Sequence, residues 1–104
     1  MEMTIKIGGK DVRVKATASL PLKYRAYFGR DLFADLSAIP AGVRDMSKID
    51  TSVFYNVAWC MAKTADDKIP EIEKWVDSFE YFNPFNVYNQ IMVLLNNTLQ
   101  TTKN

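Results

Sequence analysis

Histidine is absent from this sequence, and cysteine occurs once, at position 60. The first absence removes the commonest general base and metal ligand, so neither a Ser-His nor a Cys-His nucleophile pair can be assembled. A single cysteine makes neither an internal disulfide nor a Cys-based zinc site. Cys60 also falls on the apolar arc of its helix, the position of a small core residue rather than of a nucleophile. No run approaches 18 consecutive apolar residues. The N-terminus alternates instead of forming the apolar block of a signal peptide. The expectation is a soluble, non-enzymatic chain in a reducing cytoplasm, with no cofactor, no metal and no membrane partner.

Other chemical motifs are missing as well. Asp66 and Asp67 adjoin, but sequence neighbours do not face one site, and no third oxygen ligand follows at calcium-loop spacing. Gly8-Gly9 lacks the strand–loop–helix context and the lysine of a phosphate-binding loop.

What is present is ordinary globular composition. The 104 residues are 48% apolar and 24% charged, one domain's worth. A chain of this mass buries roughly 65% of its unfolded surface, so one core forms without disulfides or metal. The charge is uneven: residues 1–30 carry seven bases and two acids (+5), and residues 31–104 carry six bases and ten acids (−4). Such asymmetry reads either as a nucleic-acid face or, more ordinarily, as two solvated faces. In residues 81–104 the only charge is Lys103.

The first element is a hairpin over 2–15. Gly8-Gly9 suits a two-residue turn in which both residues take positive φ. Pairing outward sets Ile5 opposite Val12 and Met3 opposite Val14 on an apolar face. On the polar face it sets Lys6 opposite Asp11, Thr4 opposite Arg13 and Glu2 opposite Lys15. Two opposite-charge pairs favour this register over a one-residue slip. An isolated hairpin is marginal in water, so the apolar face must lie on helices or on another chain.

Helices are expected at about 21–37, 51–65, 70–81 and 84–99, giving an α+β domain of one hairpin packed with about four helices. Pro21 suits a first helical turn, and Leu22, Ala26, Gly29, Leu32, Phe33 and Leu36 form one stripe. Gly29 inside it reads as close packing, a break between two shorter helices, or a hinge. Residues 38–48, with Pro40 and Gly42, read as a loop. Asp50 is a good cap for the second helix. Val53, Phe54, Val57, Ala58, Cys60 and Met61 make that helix's apolar arc. Pro70 opens a plain amphipathic helix carrying Ile72, Trp75, Val76 and Phe79 on its stripe. Asn83-Pro84 starts the last. Its Phe85, Val87, Tyr88, Ile91, Met92, Leu94, Leu95 and Leu99 cover about half the wheel, wider than the roughly 100° of a surface helix. Val93 interrupts its Asn/Gln face. This helix is either central to the core or keeps a face for a partner or a second copy.

Tyr24 and Phe28, like Tyr55 and Trp59, are i,i+4 pairs lying off the stripes assigned to their helices. Either a second layer covers them, or they form a protein-binding surface, in which aromatics are enriched. With Tyr88 and Val93 of the last helix, they are the candidate binding residues.

Three runs in order resemble one family. The run Ala16-Thr17-Ala18-Ser19-Leu20-Pro21-Leu22-Lys23-Tyr24-Arg25-Ala26-Tyr27-Phe28-Gly29-Arg30-Asp31-Leu32 resembles the N-terminal signature of tail assembly chaperones from long-tailed phages and prophages of Gram-positive hosts. Residues 57–66 (VAWCMAKTAD) and 69–79 (IPEIEKWVDSF) follow in the same order, and the hairpin and closing helix fit, although the closing helix is richer in Asn and poorer in charge than the family pattern. The resemblance implies a non-enzymatic protein of the bacterial host cytoplasm. Such a protein would coat the helical tape-measure protein, keep it soluble, recruit tail-tube subunits and be absent from the mature virion. It implies no catalytic or metal residues. It also implies a longer, frameshifted form in many relatives, with which codons for Lys103-Asn104 are compatible. Two other readings stand beside it: a small nucleic-acid-binding regulator, and a structural tail-completion or connector protein.

Overall fold

The computed structural model describes residues 1–39 and 50–99. Most of the loop expected over 38–48, and Lys103-Asn104, lie outside the described residues. The order of elements is β1 (Glu2–Ile7), β2 (Lys10–Lys15), α1 (Leu20–Phe28), α2 (Leu32–Ser37), α3 (Ser52–Ala65), α4 (Ile72–Asp77) and α5 (Pro84–Leu99). The fold is α+β and mainly helical, with the antiparallel hairpin packed on helices.

The hairpin has the expected register, Glu2↔Lys15 through Ile7↔Lys10. Gly8 and Gly9 take φ of 54° and 81°, the two positive values of a type I′ turn. Gly8 is fixed for a second reason: a Cβ there would lie 2.6 Å from the Tyr81 carbonyl oxygen, so the turn sits directly on the segment after α4. Lys6 pairs with Asp11 and Arg13 with Glu2 across the solvent face. Ile5, Ile7 and Val14 are buried on the other, with Met3 and Val12 half-buried.

The helix expected over 21–37 is two helices. Gly29 ends α1 in the left-handed conformation, φ 67°, and its N–H donates to the Arg25 carbonyl at 2.7 Å, a glycine C-cap. Asp31 then starts α2 by accepting from the Ala34 N–H at 2.8 Å. The stop and the restart are two residues apart, so the chain turns a corner.

The corner also corrects the phase of the stripe in α1, while in α2 the expected Leu32 is buried and Leu36 half-buried. Leu20 and Tyr24 are buried and Phe28 is half-buried, whereas Leu22 is 72% exposed, Phe33 is 51% exposed, and Ala26 and Gly29 face solvent. Leu20, Tyr24 and Phe28 follow i, i+4, i+8 with far more side-chain area than Leu22, Ala26 and Gly29. Burial tracks apolar area, so the bulkier stripe faces inward.

The central helix is α3, not α5. The hairpin, α1, α4 and α5 all pack against it, and it buries Val53, Phe54 and every residue from Val57 to Ala62. A helix apolar nearly all round is a buried one. Asp50 stands one residue before the cap position and accepts from the Ser52 N–H at 3.1 Å and from the Ser52 hydroxyl. The third helix is shorter than the expected 70–81. Glu71 caps it through the Glu73 N–H at 3.2 Å, and it ends at Asp77. Asn83 Oδ1 accepts from the N–H groups of Phe85 and Asn86, so α5 starts as its Asn-Pro pair implies. Val87, Tyr88, Ile91, Leu94 and Leu95 of α5 are buried against α3 and β1.

Candidate protein-binding surface

Of the six candidate residues, the fold keeps one well exposed. Tyr24 is fully buried, Trp59 and Tyr88 are buried, Phe28 and Tyr55 are half-buried, and Val93 is 60% exposed. The reason is the second layer. The α1 side of α3 closes over one pair: Trp59 meets Phe28 edge-on at 5.7 Å between ring centroids, and Phe28 meets Tyr24 at 5.1 Å. Trp59 Nε1 donates to the Pro70 carbonyl at 2.8 Å, the hydrogen bond that a buried indole needs. Tyr55 stacks on Phe82 at 4.6 Å, and Phe82 meets Trp75 and Phe79 edge-on. Tyr88 packs on Phe54 at 4.5 Å. Tyr24, Trp59 and Tyr88 therefore belong to the core, and a partner docking on this fold does not reach them.

Among the described residues, the large apolar side chains that remain in solvent, besides Val93, are Met1, Leu22, Tyr27, Phe33 and Tyr81. Leu22 and Tyr27 stand on α1 and Phe33 on α2, in a stretch of chain that also carries Lys23, Arg25 and Arg30. The inverted stripe was the signal for Leu22 and Phe33 in the sequence, since apolar side chains displaced from the core are left for solvent or for a partner; no such signal marked Tyr27. Tyr27 is half-exposed and lies edge-on against Trp59 at 4.8 Å and 83°, so its ring is held in place while one face stays open. A ring so held loses little entropy when a partner covers it.

Side-chain hydrogen bonds brace the corner. Asp35, buried on the inner side of α2, accepts from the Tyr24 hydroxyl at 2.7 Å and from Arg30 Nε and Nη2 at 2.8 and 2.9 Å. The bidentate Arg30 contact, then the Tyr24 hydrogen bond, hold the Asp35 carboxyl below its ordinary range although burial opposes this. Burial first, and the Asp35 partner second, push the Tyr24 hydroxyl far above its ordinary value. The network is a charged clamp between the two short helices.

Cys60 is fully buried and its thiol is pushed up to about 11 by burial, so it is protonated near neutral pH. Among the described residues no three His, Cys, Asp or Glu side chains converge where a metal ion could sit, and no helix is long and apolar enough to cross a membrane. Comparison with family models, with curated proteins and with solved structures finds no match for this chain.

Proposed function

We propose that this chain is a non-enzymatic tail assembly chaperone. It binds the tape-measure protein in the bacterial host cytoplasm, helps recruit tail-tube subunits, and leaves before the virion is complete. The observation that carries the reading is the set of three ordered runs, residues 16–32, 57–66 and 69–79, which resemble that family. The surface is compatible with the work such a chaperone performs. A long helical partner needs its apolar face shielded, and shielding calls for apolar side chains on a rigid frame. Leu22 and Tyr27 on α1 and Phe33 on α2, two helices joined through Asp35, supply them.

The ion pairs favour a protein partner over nucleic acid. Among the N-terminal bases, Lys6, Arg13, Arg25 and Arg30 already face Asp11, Glu2, Asp31 and Asp35 respectively, and a paired base contributes little to phosphate neutralisation.

The test is co-expression with the tape-measure protein, followed by affinity pull-down and a solubility comparison. The reading expects the tape measure to become soluble and to co-purify with this chain, while purified virions lack it. An insoluble tape measure with nothing co-purifying counts against the reading. Detection of the chain in purified particles would make it a tail-completion or connector protein instead. Affinity for DNA that falls steeply with salt would make it a regulator.

A further inference from the structure

The two edges of the hairpin are treated differently. On β1, Gln90 of α5 reaches the backbone of Lys6 from outside. The Lys6 N–H donates to Gln90 Oε1 at 2.9 Å, and Gln90 Nε2 donates to the Lys6 carbonyl at 2.8 Å. One side-chain amide thus occupies the position of a neighbouring strand and blocks that edge. In an antiparallel pair, residues whose backbone groups face outward on one strand sit opposite residues doing the same on the other. Lys6 pairs with Asp11, so Asp11 and Arg13 turn their N–H and C=O groups to the outer side of β2. Among the described residues, no hydrogen bond from another element reaches the backbone of Asp11 or Arg13. Their side chains are exposed. An open strand edge is a template for another strand.

We propose that β2 pairs with β2 of a second copy of this chain, antiparallel across a twofold axis, to give a four-stranded sheet in the order β1-β2-β2-β1. The charges select both the occupant and the register. With Val12 opposite its own copy, Asp11 of each chain faces Arg13 of the other, twice over by symmetry. The outward backbone groups of these two pairs then exchange about four hydrogen bonds. Rows across the sheet read Lys6, Asp11, Arg13, Thr4, with opposite charges side by side. The neighbouring register, with Arg13 opposite its own copy, sets like charges face to face, which is destabilising. Val12, half-buried in the single chain, gains an apolar neighbour. The interface is isologous, as a twofold requires. It stands independently of the tape-measure reading.

Charge reversal tests it; because each reversal also removes a pair within the hairpin, Lys6–Asp11 or Glu2–Arg13, the mixture and the double variant are read against the single variants. Asp11→Arg leaves two arginines on the edge, and Arg13→Asp leaves two aspartates, so each variant repels itself. Mixed in equal amounts, the two restore both opposite-charge pairs, and the double variant Asp11→Arg/Arg13→Asp restores them within one chain. Sedimentation at sub-millimolar concentration should give a wild-type dimer of the 11.9 kDa chain. Each single reversal should weaken dimerisation by roughly tenfold or more, with the circular dichroism of the native fold retained. Dimers should reappear in the equimolar mixture and in the double variant. A wild-type chain that stays monomeric, single variants that remain dimeric, or a mixture that does not recover would overturn the proposal.

Discussion

Tyr24 and Asp35 face each other across the break at Gly29, with the Tyr24 hydroxyl donating to the Asp35 carboxylate at 2.7 Å. The contact joins α1 to α2 where the helical ladder between them is interrupted, and Arg30 completes it by donating to both oxygens of the same carboxylate. Removing the carboxylate leaves a buried hydroxyl and a guanidinium without their acceptor. Asp35→Ala should therefore cost about 3 kcal/mol, and Asp35→Asn less, because the amide oxygen still accepts one hydrogen bond. Urea unfolding with both variants measures the two losses.

The same contact sets a pH dependence. The folded-state pKa of Asp35 lies below its unfolded value, so the unfolded chain takes up protons first as pH falls. The stabilisation is complete above about pH 5 and is lost progressively below about pH 4. Asp50 is depressed in the same direction by its Ser52 hydrogen bonds. Asp35→Asn should therefore flatten the acid limb of the stability curve without abolishing it. Tyr24 moves the opposite way: its raised pKa makes stability complete below about pH 10 and declining above. Thermal melts from pH 2 to 11 follow both limbs.

The glycines should rank by their surroundings. At Gly29 a Cβ meets open space but the backbone is left-handed, so Gly29→Ala costs about 1–2 kcal/mol. Gly8 has the positive φ and the Tyr81 carbonyl oxygen 2.6 Å from where a Cβ would stand, so Gly8→Ala costs more. Equal losses for the two variants in denaturant titrations would contradict the close packing of the turn on the segment after α4.

Much of the fold was legible in the sequence because its signals were local. The hairpin register followed from alternation and the Gly-Gly turn, and the start of α5 followed from Asn83-Pro84. The corner between α1 and α2 was harder to read because Gly29 and Asp31 must be taken together, one as a stop and the other as a start. With one continuous helix assumed, Leu22, Ala26 and Phe33 line up as core. With two helices, the bulk of Leu20, Tyr24 and Phe28 decides the inward face. The misplacement of the aromatic candidates had a different cause. Tyr55 and Trp59 lie opposite the main arc of α3, but α1, α4 and the 79–82 segment cover that side too, and coverage from several elements is a tertiary property that no periodicity carries.

Cys60 should be inert in the native chain. Its thiol is buried and its pKa is raised to about 11, so neither access nor thiolate is available near neutral pH. Iodoacetamide at pH 8 should leave it unmodified in the folded protein and alkylate it fully in denaturant, as read by mass spectrometry. Rapid labelling of the native chain would mean that α3 opens from its surroundings far more often than its burial implies.

The inward and outward stripes of α1–α2 should separate stability from binding. Truncating buried Tyr24 to Ala should cost about 3–5 kcal/mol, as large core aromatics do. Leu22→Ser and Phe33→Ser, at positions in solvent, should change stability by no more than about 0.5 kcal/mol. Losses of several kcal/mol at Leu22 and Phe33 in urea unfolding would return those residues to the core and reverse the phase of α1.

The central claim is that this chain shields a helical tape-measure partner through the exposed apolar side chains of α1 and α2. Its most direct test is pull-down of co-expressed tape-measure protein by wild-type chain and by Leu22→Ser/Tyr27→Ser/Phe33→Ser, with native circular dichroism checked for both. The account predicts that the wild type recovers soluble tape measure and that the triple variant, folded, recovers much less. Equal recovery by the two would contradict the assigned surface, and no recovery by the wild type would contradict the function itself.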